Sequence, residues 1–121
     1  MSLDAAARRR YARQLLIGEI GEAGQERLLH AGFRRGAGGD VETYAVAADY
    51  LERAGCVVRQ DGDELLLPNE DAVMRFACEP ELAGTAATIM GAFAAVEHLK
   101  ATLGLGAARD FPDELRLNGE V

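Results

Sequence analysis

Apolar positions along this chain recur mostly at helical spacing, broken by glycines, and only short stretches read as strands. From Leu3 to Ile17 the pattern predicts a helix. Ser2 is placed to cap it, Ala5 to Ala7 favour it, and Tyr11, Leu15 and Leu16 form an apolar stripe. After Gly18 and Gly21 a second helix runs from about Glu22 to His30, carrying Leu28 and Leu29 inward and stopping at Gly32. Asp40 is positioned to cap a third, Val41 to Ala54, which Gly55 ends. Cys56 to Gln60 and Glu64 to Leu67 read as strands around the turn dipeptide Asp61-Gly62, hence a hairpin, closed by Pro68. Asn69 caps a short helix from Glu70 to Ala77, and a long one follows Pro80, from Glu81 to Leu103. Beyond Ala107 the chain reads as an irregular arm in which Leu115 and Leu117 fit an edge strand.

The last helix is apolar almost all round, and such a helix is normally buried on most of its surface. Few other elements are available to cover it. Small residues at Ala83, Ala87 and Gly91 fall every four positions and permit close approach of a neighbouring helix. Two readings stand: packing within the chain, or self-association through Leu82, Ala87, Met90, Gly91 and Phe93, with Tyr11 and Leu15 of the first helix.

Length places all 121 residues in one domain, with subregions 1–31, 32–68, 69–106 and 107–121. Aromatics make up 6% of the chain and Trp is absent, so Leu, Ala and Val must build the core. A formal charge of −7 excludes the basic footprint of a nucleic-acid binder, although Arg8, Arg9, Arg10 and Arg13 crowd the first helix. The N-terminus shows no apolar leader pattern, and the longest uncharged run, Leu82 to Val96, is 15 residues. That falls short of the ~18–20 needed to span a bilayer. Cys56 and Cys78 lack disulfide or zinc spacing and read as half-buried thiols in a reducing compartment. A cytoplasmic protein that binds neither membrane nor nucleic acid is expected.

Three blocks carry a resemblance. The first is Arg10-Tyr11-Ala12-Arg13-Gln14 followed by Ile20-Gly21-Glu22-Ala23-Gly24-Gln25-Glu26-Arg27-Leu28. The second is Gly36-Ala37-Gly38-Gly39 with its following helix, and the third is Glu81 to Gly106. In this order they resemble the ThiF/MoeB/HesA family, ubiquitin-activating-like enzymes that adenylate the C-terminus of a small carrier protein. The resemblance implies that Arg13 reaches across a dimer to the phosphates of ATP. It also implies that Gly36, Gly38 and Gly39 belong to the nucleotide loop, where glycines let backbone amides approach phosphate.

The departures are specific. Val41 replaces the final glycine of the G-x-G-x-x-G pattern, and Asp40 puts a carboxylate where phosphate should sit. Gly32-Phe33-Arg34-Arg35 should be a central strand covered on both faces, which would bury two adjacent guanidinium groups. The expectation is that this strand is lost or exposed. Absent too is the region that in these enzymes carries the remaining nucleotide-contacting Arg and Lys, the magnesium-binding Asp, the zinc cysteines and any catalytic cysteine.

Other candidates are weaker. Cys78 has no activating neighbour in sequence and reads as a small buried hydrophobe. Glu97-His98 reads as an ordinary helix surface. Asp61, Asp63 and Glu64 read as a solvated turn instead of a calcium loop, and Asp61, about 20 residues beyond the loop as a ribose-binding acid would be, is explained by the same turn. The expected fold is α/β, a reduced ThiF-like and so Rossmann-derived remnant. It would have four or five helices and a sheet of two or three strands, completed by dimerisation. The expected function is non-catalytic association with itself, a carrier protein or a full-length activating enzyme, without a cofactor. The alternative is a component of an ATP–magnesium-dependent adenylating enzyme that supplies Arg13 in trans.

Overall fold

The structure, a computed structural model, describes residues 21–118 together with Asp4 and Ala6. The first predicted helix, with Tyr11, Arg13 and Leu15, lies outside the described residues. The elements within them are α1 (Gly21–His30), β1 (Gly32–Arg34), α2 (Val41–Ala54), β2 (Val57–Val58), β3 (Asp63–Glu64), α3 (Glu70–Ala77), a 3-10 turn (Pro80–Leu82) and α4 (Ala83–Thr102). The fold is mixed α/β, with four helices and a three-stranded parallel sheet among the described residues.

The helix limits follow local chemistry. Asp40 caps α2 by accepting hydrogen bonds from the Thr43 amide at 2.9 Å and the Thr43 hydroxyl at 2.8 Å. Asn69 caps α3 in the same way, accepting from the Ala72 amide at 2.8 Å. Both were expected from sequence.

The sheet was not. Strand order is β2-β1-β3, and both outer strands run parallel to β1, with Phe33 opposite Val58 on one side and Asp63 on the other. The predicted hairpin is therefore incorrect. Arg59 to Gly62 makes a turn, closed by the Gly62 amide donating to the Arg59 carbonyl at 3.1 Å. That turn carries the chain across the end of β1 instead of back along β2. The first strand is also neither lost nor exposed. Phe33 is completely buried, while Arg34 alternates outward, donates from Nε to the Gly62 carbonyl at 3.1 Å and pairs with Glu64 at 3.6 Å. Arg35 is exposed. Alternation turns Arg34 away from Phe33, and the strand ends before Arg35, so the burial of adjacent charges that argued against this strand is avoided.

Two cores result, and α4 serves both. Leu28, Phe33, Ala47, Leu51, Cys56, Leu65 and Leu103 close around Ala94 and Ala95 of α4. Val73, Phe76 and Ala77 of α3 close around Ala86, Ala87 and Met90, with Phe111 and Leu117 of the arm packed on top. An all-round apolar helix is what two cores on different sides of one rod require. Gly91 marks the closest approach to α2, where an added Cβ would lie 2.7 Å from both the Thr43 carbonyl and the Val46 side chain. Ala87, Met90 and Gly91 are therefore covered by the chain itself, and the packing reading of the small residues holds for them. Leu82 packs partly buried on the second core, and Phe93 stacks edge-on against Phe111 at 5.3 Å.

Pro80–Thr102 is, by length and composition, long enough and apolar enough to cross a membrane. The uncharged run counted from sequence understated it. Here it is the shared core helix. The arm is irregular as expected but forms no edge strand; instead the Leu117 amide donates to the Phe76 carbonyl at 2.8 Å, and Phe111 stacks on Phe76 at 4.7 Å.

Candidate functional site

In an open parallel sheet, ligands bind outside the carboxyl ends of the strands, where a strand runs into a loop and then a helix. Here β1 runs into Gly36-Ala37-Gly38-Gly39, and the loop delivers the chain to the N-terminus of α2. The sequence places the glycine loop where a nucleotide loop belongs, and what surrounds it decides its use.

Each glycine has a reason within the chain. The carboxylate of Glu64 lies in the space that a Cβ on Gly36 would need, and the Leu67 side chain lies 2.9 Å from the corresponding position on Gly39. Gly38 has φ 87°, a left-handed conformation, with open space around it. Three amides of the loop and helix start are engaged within the chain. Gly39 donates weakly to the Gly36 carbonyl at 3.4 Å, Asp40 donates to the Pro68 carbonyl at 2.9 Å, and Thr43 donates to the Asp40 side chain. Tyr44 completes the first helical bond to the Asp40 carbonyl at 2.9 Å.

Two open crevices flank the loop. One, of about 440 Å³, lies between the starts of α2, α3 and α4 and is lined by Asp40, Glu42 and Glu70 with Val41, Val73 and Met74. The other, of about 280 Å³, is lined by Glu64, Leu65, Leu67 and Asn69 with the glycines. Neither lining contains a lysine or an arginine. A triphosphate entering here would meet four carboxylates and no cationic side chain, the inverse of what phosphate binding favours. A third crevice, about 250 Å³, lies under the arm and mixes Arg75 and Arg116 with Asp110 and Asp113.

Asp61 lies in the exposed crossing turn. Among the described residues no three metal-capable side chains come together. Cys56 is buried, and burial pushes its thiol up to about 11, which leaves it unreactive. Cys78 is not the buried hydrophobe expected. It is exposed at the end of α3, with φ 68° and its thiol toward the Arg75 carbonyl at 3.6 Å.

The polar cluster that sequence reasoning missed is on α4. Glu97 and His98 are not an exposed helix surface but are 8% and 6% exposed. The Glu97 carboxylate accepts from Lys100 Nζ at 2.6 Å and from the Arg109 amide at 2.9 Å, so it fastens the start of the arm to α4. The Lys100 hydrogen bond holds its carboxyl below the usual range, against an opposing effect of desolvation. An acid and a base three residues apart on an otherwise apolar helix were the available signal.

His98 meets the ring of Phe33 edge-on at 6.2 Å and lies 3.4 Å from the Thr102 hydroxyl. Burial lowers its pKa, and the Asp63 charge opposes that only in part. Because the unfolded state then binds the proton more tightly, stability is retained above the unfolded histidine value of about 6.5 and falls as pH drops below it. His98→Gln is expected to flatten the change in urea midpoint between about pH 7.5 and pH 5.5. The separate loss from Glu97 at lower pH would remain. An unchanged slope in the variant would assign the acid sensitivity to other groups.

Comparison with protein-family models, curated proteins and solved structures finds no match to this chain.

Proposed function

We propose that this chain is a ThiF/MoeB/HesA-like protein without adenylating activity that acts by associating with other proteins: a second copy, a small carrier protein or a full-length activating enzyme. The observation that carries this reading is the acidic setting of the glycine loop, with the Glu64 carboxylate over Gly36 and Asp40 held as a helix cap. The order β1, glycine loop, α2, β2, with β2 parallel to β1, is that of a nucleotide-binding βαβ unit. It supports descent from a Rossmann-type enzyme whose loop now serves packing. Gly36, Gly38 and Gly39 are in this reading vestiges of a nucleotide site, and the protein works in the cytoplasm without a cofactor.

For self-association the remaining surface is the outer face of α4. Ile89 and Val96 are 40% and 60% exposed there, and Thr85 and Thr88 are exposed beside them. Light scattering at tens of micromolar is expected to give twice the chain mass, and Ile89→Glu with Val96→Glu to give the single mass. A single mass for the unaltered protein across that range would remove self-association. Association would then rest on a carrier or an activating enzyme.

A further inference from the structure

The crevice of about 440 Å³ between α2 and α3 falls within the size range of ligand clefts, about 300–1,000 Å³. Its floor is apolar: Val73 is buried, while Val41 and Met74 are 64% and 37% exposed into or beside it. Val41 opens α2 and Met74 lies midway along α3, and both line the same crevice, giving it an exposed apolar centre. The rim is acidic. Glu42 and Glu70 line it and form no ion pair among the described residues, whereas Asp40 is occupied as a cap. The N-termini of α2 and α3 each contribute about half a positive charge. Three carboxylates outweigh that sum, so the potential in the groove stays negative.

We infer that this groove takes a short basic peptide segment of a partner protein, with aliphatic residues at its centre over Val41 and Met74 and lysine or arginine on either side facing Glu42 and Glu70. The acidic rim, without a lysine or arginine in the lining, selects a basic occupant. The inference rests on the reading of the chain as an association protein and names the kind of partner.

The probe is a labelled seven-residue peptide with two lysines on each side of Leu-Val-Leu, titrated with the full chain by fluorescence anisotropy at low and near-physiological salt. Saturable binding is expected, weakening with salt, as screening of rim charges requires. A lysine-only peptide is expected to bind about tenfold more weakly. Glu42→Lys with Glu70→Lys is expected to raise Kd about tenfold or more. Asp113→Lys with Glu114→Lys, an equal charge change on the arm, should leave it within about threefold. Circular dichroism confirms that each variant keeps its fold. Absence of binding, equal binding of the lysine-only peptide, or equal loss in the arm variant would each overturn the assignment. Any of these results leaves the light-scattering outcome untouched, so failure of the groove is separable from failure of the association reading.

Discussion

Phe33→Ala is expected to cost about 4 kcal/mol of unfolding free energy, in the range for truncating a buried aromatic. Phe33 is completely buried in a strand of three residues. Its ring is tilted against Tyr44 of α2 at 6.3 Å and meets His98 of α4 edge-on at 6.2 Å. One side chain thus ties the central strand to α2 and α4, two of the three helices of the first core, and no neighbour on a strand so short can fill the cavity. Urea denaturation followed by circular dichroism measures the cost. A loss below about 1 kcal/mol would mean that Gly32–Arg34 is peripheral, as the run of charge after Phe33 suggested.

Gly62→Ala is expected to cost about 3 kcal/mol, at the upper end for overpacking, and to lower the thermal midpoint by about 10 °C. A Cβ at this position would lie 2.5 Å from the carbonyl carbon of Gly32 and 2.6 Å from the Phe33 nitrogen. Both atoms are backbone of the central strand and cannot swing aside. Gly62 is not among the glycines with positive φ, so the cost comes from the crossing of two chain segments and not from a left-handed turn. Combining the substitution with Asp61→Asn separates the cases. In a hairpin turn the asparagine would soften the penalty, whereas at a crossing it changes nothing. A cost within experimental error would contradict the parallel arrangement.

What the sequence made legible was mostly local. Asp40 and Asn69 announce helix starts because a side-chain oxygen satisfies an amide three residues on, an interaction contained within one turn. The apolar repeat of Val41 to Ala54 is long enough for its period to be read, and its limits match the structure. The sheet was illegible for the opposite reason. Strands of two and three residues carry no measurable period, and Asp61-Gly62 specifies that the chain turns but not which neighbour it joins. Only the long-range pairing of Phe33 with both Val58 and Asp63 settles that.

At the site, the glycine loop and the misplaced acid Asp40 were visible in order along the chain. Glu64 over Gly36 was not, because 28 positions separate them and only the crossing turn brings them together. The excess apolarity of α4 was correctly seen, but a single-surface view of burial turned two intrachain cores into an apparent need for a partner at Ala87, Met90 and Gly91. Glu97 and His98 read as helix surface because their burial depends on β1 and on the arm returning over α4.

On the proposed reading, the glycine loop at the start of α2 binds no nucleotide. Isothermal titration calorimetry of the purified chain with ATP–magnesium tests it most directly. With protein at tens of micromolar and nucleotide taken into the millimolar range, the account predicts dilution heats only, with no saturable component. A saturable isotherm with a micromolar Kd, weakened by Gly38→Val, would contradict it.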